Sequence, residues 1–212
     1  MAGAAAVLIA LAGPGAAADR VLADPARMPE LAERMDFAGH NVFSVEPSEY
    51  GDVLRSTPQR SASGLYLDVA VPGDRLSRVG WRWRVEPIQP HADIRKRETE
   101  DFGAVVFFIF GEPSLFNRDV PTLAYVWTAT PVANGTVIQS VRFASLQFVQ
   151  LHGRAEVGSW QQEWRNVADD FRRIFGHAPP ELRKIAILND NDQTGEPASA
   201  LFGPIVCDGG CQ

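Results

Sequence analysis

The chain alternates. In "RVGWRWRVE", Val79, Trp81, Trp83 and Val85 fall on one side of a period of two, and Gly80, Arg82, Arg84 and Glu86 on the other. That is the pattern of a strand with one buried face. "NVFSVE" and "GLYLDVAV" alternate too, the second with Leu65, Leu67, Val69 and Val71 in register. "AVVFFIF", residues 104–110, is apolar at every position, so the strand it predicts has to be covered on both faces. "TLAYVWTA", "VIQSVRF", "LQFVQL", "LRKIAIL" and "SALFGPIVC" bring the count to nine or ten short strands. Turn signals separate them at Tyr50-Gly51-Asp52, Pro72-Gly73-Asp74 and Asn134-Gly135, the last a hairpin dipeptide.

One segment changes period. "SWQQEWRNVADDFRRIFG" puts Trp160, Trp164, Val167, Phe171, Ile174 and Phe175 at helical spacing and predicts a helix over 160–175. Ser159 with Gln162 reads as its capping box and Gly176 as its stop. Arg165 with Asp169, and Asp169 with Arg173, are i,i+4 pairs on its outer side. Many short strands and one late amphipathic helix predict a mainly β fold, an antiparallel β-sandwich of jelly-roll type with the helix packed on a sheet as its lid. Parity and the helical stripe put Trp81, Trp83, Trp127, Trp160 and Trp164 in the core.

Ahead of the strands, Ala4 to Ala12 is apolar but too short to span a bilayer. Gly13-Pro14-Gly15 breaks it and Ala16-Ala17-Ala18 offers a small-residue cleavage pattern, although no Lys or Arg precedes the apolar run. The reading is a signal peptide over 1–18, a polar lead-in over 19–36 and a single domain over 37–212, exported to the periplasm or beyond. Cys207 and Cys211, in "CDGGC", then read as a small disulfide ring; two thiols alone make an incomplete zinc site. No other segment has the length of a transmembrane helix. Of the 212 residues, 45% are hydrophobic and 22% charged, which supports an ordinary core. A net charge of −6 speaks against nucleic acid as a partner. The densest basic run, Arg95-Lys96-Arg97, is followed by Glu98 and Glu100.

Taken in order, "WRWRV", "EDFGAVVFFIF", "YVW", "RNVADDFRRIFG" and "NDNDQTGEPASALFGPI" resemble the bacterial domain-of-unknown-function family numbered 3047, over roughly residues 36–206. The resemblance implies an exported β-sandwich and carries no activity with it. This chain departs from the family pattern at three places. It has Glu100-Asp101 for a paired Asp-Asp, Val105 for an early strand arginine, and Pro204 for an Asp after the late glycine.

The candidate chemistry lies in three groups. Arg82 and Arg84, two residues apart on one face, suit a carboxylate or sulfate of an acidic glycan; the alternative is a solvated face or pairing with Glu98, Glu100 and Asp101. Glu98, Glu100 and Asp101, with Asp190 and Asp192, could supply the two carboxylates of a glycoside hydrolase. Asp190, Asp192 and Thr194, followed by Gly195, copy positions one, three and five of a calcium loop but lack its closing acid, Leu201 standing there. Without a structural calcium, the alternative is a connector whose side chains satisfy their own backbone, with Arg165 the arginine expected to offset Asp190 and Asp192. The four histidines, His40, His91, His152 and His177, lie in expected loops and form no catalytic constellation. The expected function is a non-catalytic module for carbohydrate or another envelope polymer. A polysaccharide hydrolase or lyase using Glu98, Glu100 or Asp101 is the alternative, and a structural envelope protein the third reading.

Overall fold

The computed structural model describes residues 19–112, 119–208 and 211; the expected signal peptide, 1–18, lies outside them. In chain order the strands are β1 Arg20–Ala23, β2 Glu33–Ala38, β3 Val42–Ser48, β4 Gly51–Thr57, β5 Ala62–Val71, β6 Val79–Val85 and β7 Ala104–Phe110. Then come β8 Thr122–Trp127, β9 Val137–Gln139, β10 Leu146–His152, β11 Gln161–Arg165, β12 Leu182–Asp190, β13 Ala200–Phe202 and β14 Ile205–Cys207. They form two seven-stranded sheets. Sheet A runs β1-β14-β6-β13-β4-β3, with β11 also on β6; sheet B runs β2-β5-β12-β7-β8-β10-β9. Pairing is antiparallel except between β8 and β10. The fold is therefore the expected mainly β sandwich of jelly-roll type with one late helix. It has more strands than the pattern predicts, because β1 and β2 lie in the expected lead-in, β4 shows no clear alternation, β11 falls in the expected helix, and "SALFGPIVC" divides into β13 and β14. The expected lead-in is not separate from the sandwich. β1 joins sheet A, β2 joins sheet B, and Met28 between them is fully buried.

Parity decides the core. Val79, Trp81, Trp83 and Val85 of β6 are all within 1% of full burial. They meet Ala104, Val106, Phe108 and Phe110 of β7 and Leu123, Tyr125 and Trp127 of β8. Trp81 lies 5.1 Å from Tyr125, and Trp83 lies edge-on to Trp127 at 5.9 Å. The second apolar face of β7 is covered differently. Val105 joins Val126, Phe148 and Leu188 of sheet B under Ile94, Phe102 and Ile138, while Phe107 and Ile109 stay half-buried. Sheet A thus covers one face of β7, and the 87–103 connection covers part of the other.

The helix runs from Val167 to Phe175, not from 160. Residues 161–165 form β11, antiparallel to β6, with Trp164 opposite Gly80 and Glu163 opposite Trp81. The same residues satisfy both a period of 3.6 and a period of two, and the open edge of β6 selects the second. Asn166, rather than Ser159, is the N-cap and accepts from Asp169 N at 3.0 Å. Gly176 ends the helix as expected, in the left-handed conformation at φ 78°. The ion pairs shift accordingly: Arg165 binds Asp170, Arg172 binds Asp169 and Arg173 binds Asp170. Phe171 packs on Phe110 of sheet B at 4.6 Å, and Asp170 accepts from the Tyr125 hydroxyl at 2.8 Å. Trp164 is 39% exposed and Trp160 half-buried, so these two are not core residues. His152 is not in a loop either. It ends β10 against Trp127 at 4.8 Å and shares a 2.6 Å hydrogen bond with Glu163.

Candidate functional site

Strand parity splits the run Asn189-Asp190-Asn191-Asp192 into two functions. Asn189 belongs to a buried polar network between the sheets. Ser56 of sheet A donates to its Oδ1 at 2.6 Å, and Asn41 Nδ2 donates to its carbonyl at 2.8 Å. Asn191 Oδ1 accepts from Ser61 N at 3.1 Å. Each buried polar group here has a partner, as burial requires. Asp190 and Asp192 share the other face with Leu188. There they meet Asp101, and one carboxylate oxygen from each of the three lies within 4.8 Å of the others.

The electrostatics of this cluster are one-sided. Asp101, fully buried, accepts from Gln193 N at 3.1 Å, Thr194 N at 2.7 Å and Thr194 Oγ1 at 2.5 Å. Asp190 Oδ1 accepts from Phe102 N at 2.6 Å. Glu100 accepts from the Arg142 guanidinium, which also reaches Gln193 Oε1 at 3.2 Å. Burial, with Asp101 close by, pushes the Asp190 carboxyl well above the usual carboxylate range. Burial and Asp101 also raise Asp192. Burial raises Glu100 against the opposing pull of Arg142.

Glu100, Asp190 and Asp192 close one end of a cavity of about 380 Å³ on the outer face of sheet B. Its walls are the rings of Phe37, Phe102, Phe107, Phe143 and Phe148. A second cavity of about 310 Å³ shares Phe37, Phe107 and Phe143 with the first and continues over Ile109 towards Lys184. Of the three expected calcium ligands, Asp190 and Asp192 join Asp101 in a group whose oxygens could hold a metal ion, and Thr194 is set differently from a calcium loop. Asp190 lies in β12, and the Thr194 hydroxyl is spent on Asp101. Arg165 is not beside these acids; it binds Asp170 at 2.7 Å. The arginine at the cluster is Arg142, which sequence reasoning passed over. Glu98 is exposed and does not line the cavity.

The outer face of sheet A is built differently. Arg82 lies 4.2 Å over the Tyr50 ring and, among the described residues, makes no ion pair. Arg84 is committed to Glu86, and Arg55 to Glu46 at 2.7 Å; neither Arg82 nor Arg84 pairs with Glu98, Glu100 or Asp101. Trp164 lies against Gly80, where a Cβ would come within 2.6 Å of its ring. Glycine is thus what lets an indole lie on the strand. The Arg78 guanidinium stands 4.4 Å from the same ring. Trp160 meets Tyr50 edge-on at 5.7 Å. Tyr50, Arg82, Trp160, Gln162 and Trp164 surround a cavity of about 270 Å³, and Arg84 and Trp160 border a neighbouring one of about 280 Å³. The sequence signal for this face was present: in β11, Gln162 and Trp164 share a parity with Arg82. Without the pairing to β6 that parity has no meaning.

The family model described as "Protein of unknown function (DUF3047)" matches residues 33–206. Among curated proteins, none matches the sequence. Several solved structures are similar. One is the family 11 carbohydrate-binding module from Clostridium thermocellum in complex with a β-1,3-1,4-mixed-linked tetrasaccharide, with 10% identity, a TM-score of 0.46, and coverage of 91% of this chain and 97% of that one. A cellulase derived from Cel12A of Rhodothermus marinus has 11% identity and a TM-score of 0.44, covering 82% and 100%. The K2 cleaved adhesin domain of Lys-gingipain has 10% identity and a TM-score of 0.43, covering 91% and 99%.

Proposed function

We propose, from the premise that the chain belongs to the DUF3047 family of proteins of unknown function, that it is a non-catalytic module binding an acidic glycan or a similar anionic envelope polymer. The observation that carries this reading is Arg82, free of any ion pair among the described residues, set in a cavity with Tyr50, Trp160 and Trp164. Indole and phenol rings offer flat apolar faces to sugar rings and polar edges to their hydroxyls. An uncommitted guanidinium offers paired donors to a carboxylate or sulfate. Arg84 is neutralised by Glu86 and is a lesser contributor. The same reading puts the protein outside the cytoplasm, where such polymers are found; the Cys207–Cys211 disulfide supports that compartment.

The hydrolase alternative has less support. Its carboxylates sit on the opposite sheet, in a cavity with five phenylalanines in its walls, where Glu100 is already bonded to Arg142 and Asp101 to Thr194.

Calorimetry against a panel of uronate-containing, sulfated and neutral polysaccharides tests the proposal. Binding to acidic polymers is expected, about tenfold weaker in Arg82→Gln and in Trp164→Ala, as for central interface residues. Equal affinity for neutral and acidic polymers removes the role of Arg82. Binding that survives both substitutions places the ligand elsewhere.

A further inference from the structure

We propose that the cavity on the outer face of sheet B is a second binding site, for an organic ammonium ion carrying an apolar body. This is independent of the glycan reading, which concerns the opposite sheet.

Charge complementarity selects the head group. Glu100, Asp190 and Asp192 line one end of the cavity, with Asp101 directly behind. The one cationic side chain in the lining, Arg142, is bonded to Glu100. Among the described residues neither Asp190 nor Asp192 has an ion pair, although the charge of Arg142 also reaches Asp192. Asp190 is 6% exposed, and its Oδ2 accepts no hydrogen bond from the described residues. A largely buried carboxyl with Asp101 and Asp192 beside it is a costly arrangement unless a positive group arrives from outside.

The walls select an ammonium over a metal ion. A hard divalent cation wants six to eight oxygens. Here Asp101 already accepts three hydrogen bonds and the Thr194 hydroxyl is turned onto it. Five phenyl rings, whose faces attract ammonium groups, make up much of the remaining lining. Phe102 and Phe148 are 5.1 Å apart beside the acids. Farther out, Phe37 and Phe143 are 61% and 53% exposed. Rings left in water at the mouth of an apolar trough gain by being covered. The trough continues over Phe107 and Ile109 into the second cavity, which gives an apolar body its place.

The test uses 4-phenylbutylamine as probe, with 4-phenylbutanol as its neutral analogue, followed by calorimetry and ligand-observed NMR on the native protein. The amine is expected to bind about tenfold more tightly than the alcohol, the worth of a charge-assisted hydrogen bond. Asp192→Asn should remove that preference and leave alcohol binding unchanged. Phe143→Ala, an exposed position that the fold does not need, should weaken both. An amine bound no better than the alcohol overturns the proposal, as does an amine that fails to bind at millimolar concentration. A melting shift produced by calcium chloride and reversed by EDTA, without amine binding, overturns it in favour of a metal site.

Discussion

Asp190 and its neighbour Asn189 follow one another in the chain and do opposite work. Asn189 ties the two sheets together through Ser56 and Asn41, while Asp190 faces a cavity with its carboxyl pushed well above the usual range. A group whose folded pKa is raised adds stability below about pH 4, the unfolded carboxylate value, and that stability is lost as pH rises through the folded value. Asp190→Asn is therefore expected to match the native protein in melting temperature near pH 4 and to melt higher at neutral pH. A calorimetric series across that range checks it; a variant that melts lower at neutral pH contradicts it. Asp93 has the opposite sign. A hydrogen bond from Arg95, with Lys96 nearby, holds its carboxyl down to about 2. Its contribution is present above pH 4 and fades as pH falls towards 2. The polar density of "NDNDQTG" marks the place of the cluster in the sequence. The partner that completes it, Asp101, arrives from the loop before β7, and no local spacing points to it.

At the scale of elements, residues 160–175 hold the main difference between pattern and structure. Phe171, which stays on the helix, is fully buried against Phe110. Phe171→Ala is expected to cost about 3 to 5 kcal/mol in denaturant unfolding, as large-to-small core changes do. Asp170 is the second anchor. Burial works to raise its carboxyl, and bonds from Arg173, Arg165 and Tyr125 outweigh that and lower it. Asp170→Ala leaves Arg165 half-buried without its partner, so a loss of about 3 to 5 kcal/mol is expected there too. Losses within about 1 kcal/mol at both sites would mean that the helix does not hold down this end of the sandwich. Trp164 reads as equivalent to Phe171 by helical spacing, yet its ring lies on Gly80 at the surface. Helical spacing could not separate them, because Trp164 and Val167 are also where a strand ends and a helix begins. The cap at Asn166 is the one local mark of that boundary.

For the whole molecule, the tail closes sheet A. Arg20 and Val21 of β1 pair with Cys207 and Val206 of β14, Cys207 is joined to Cys211, and Arg20 reaches Cys211 O at 2.8 Å. Thiol titration of the denatured, unreduced chain is expected to find no free thiol, and two would contradict the bond. Its short loop predicts a contribution of about 2 kcal/mol by loop closure, to be read from unfolding with and without reductant. The sequence alone determined which residues of β6 face inward, that β7 is apolar on both faces, and that a buried helix ends at Gly176. Pleat and helix cap are set by neighbours in the chain, so their record is local. Only the tertiary structure decided that residues 161–165 extend sheet A, that Trp164, Tyr50 and Arg82 share one face, and that Asp101, Asp190 and Asp192 meet across the other sheet. Each of these depends on which strand a backbone hydrogen-bonds to, and a strand's own residues do not record that choice.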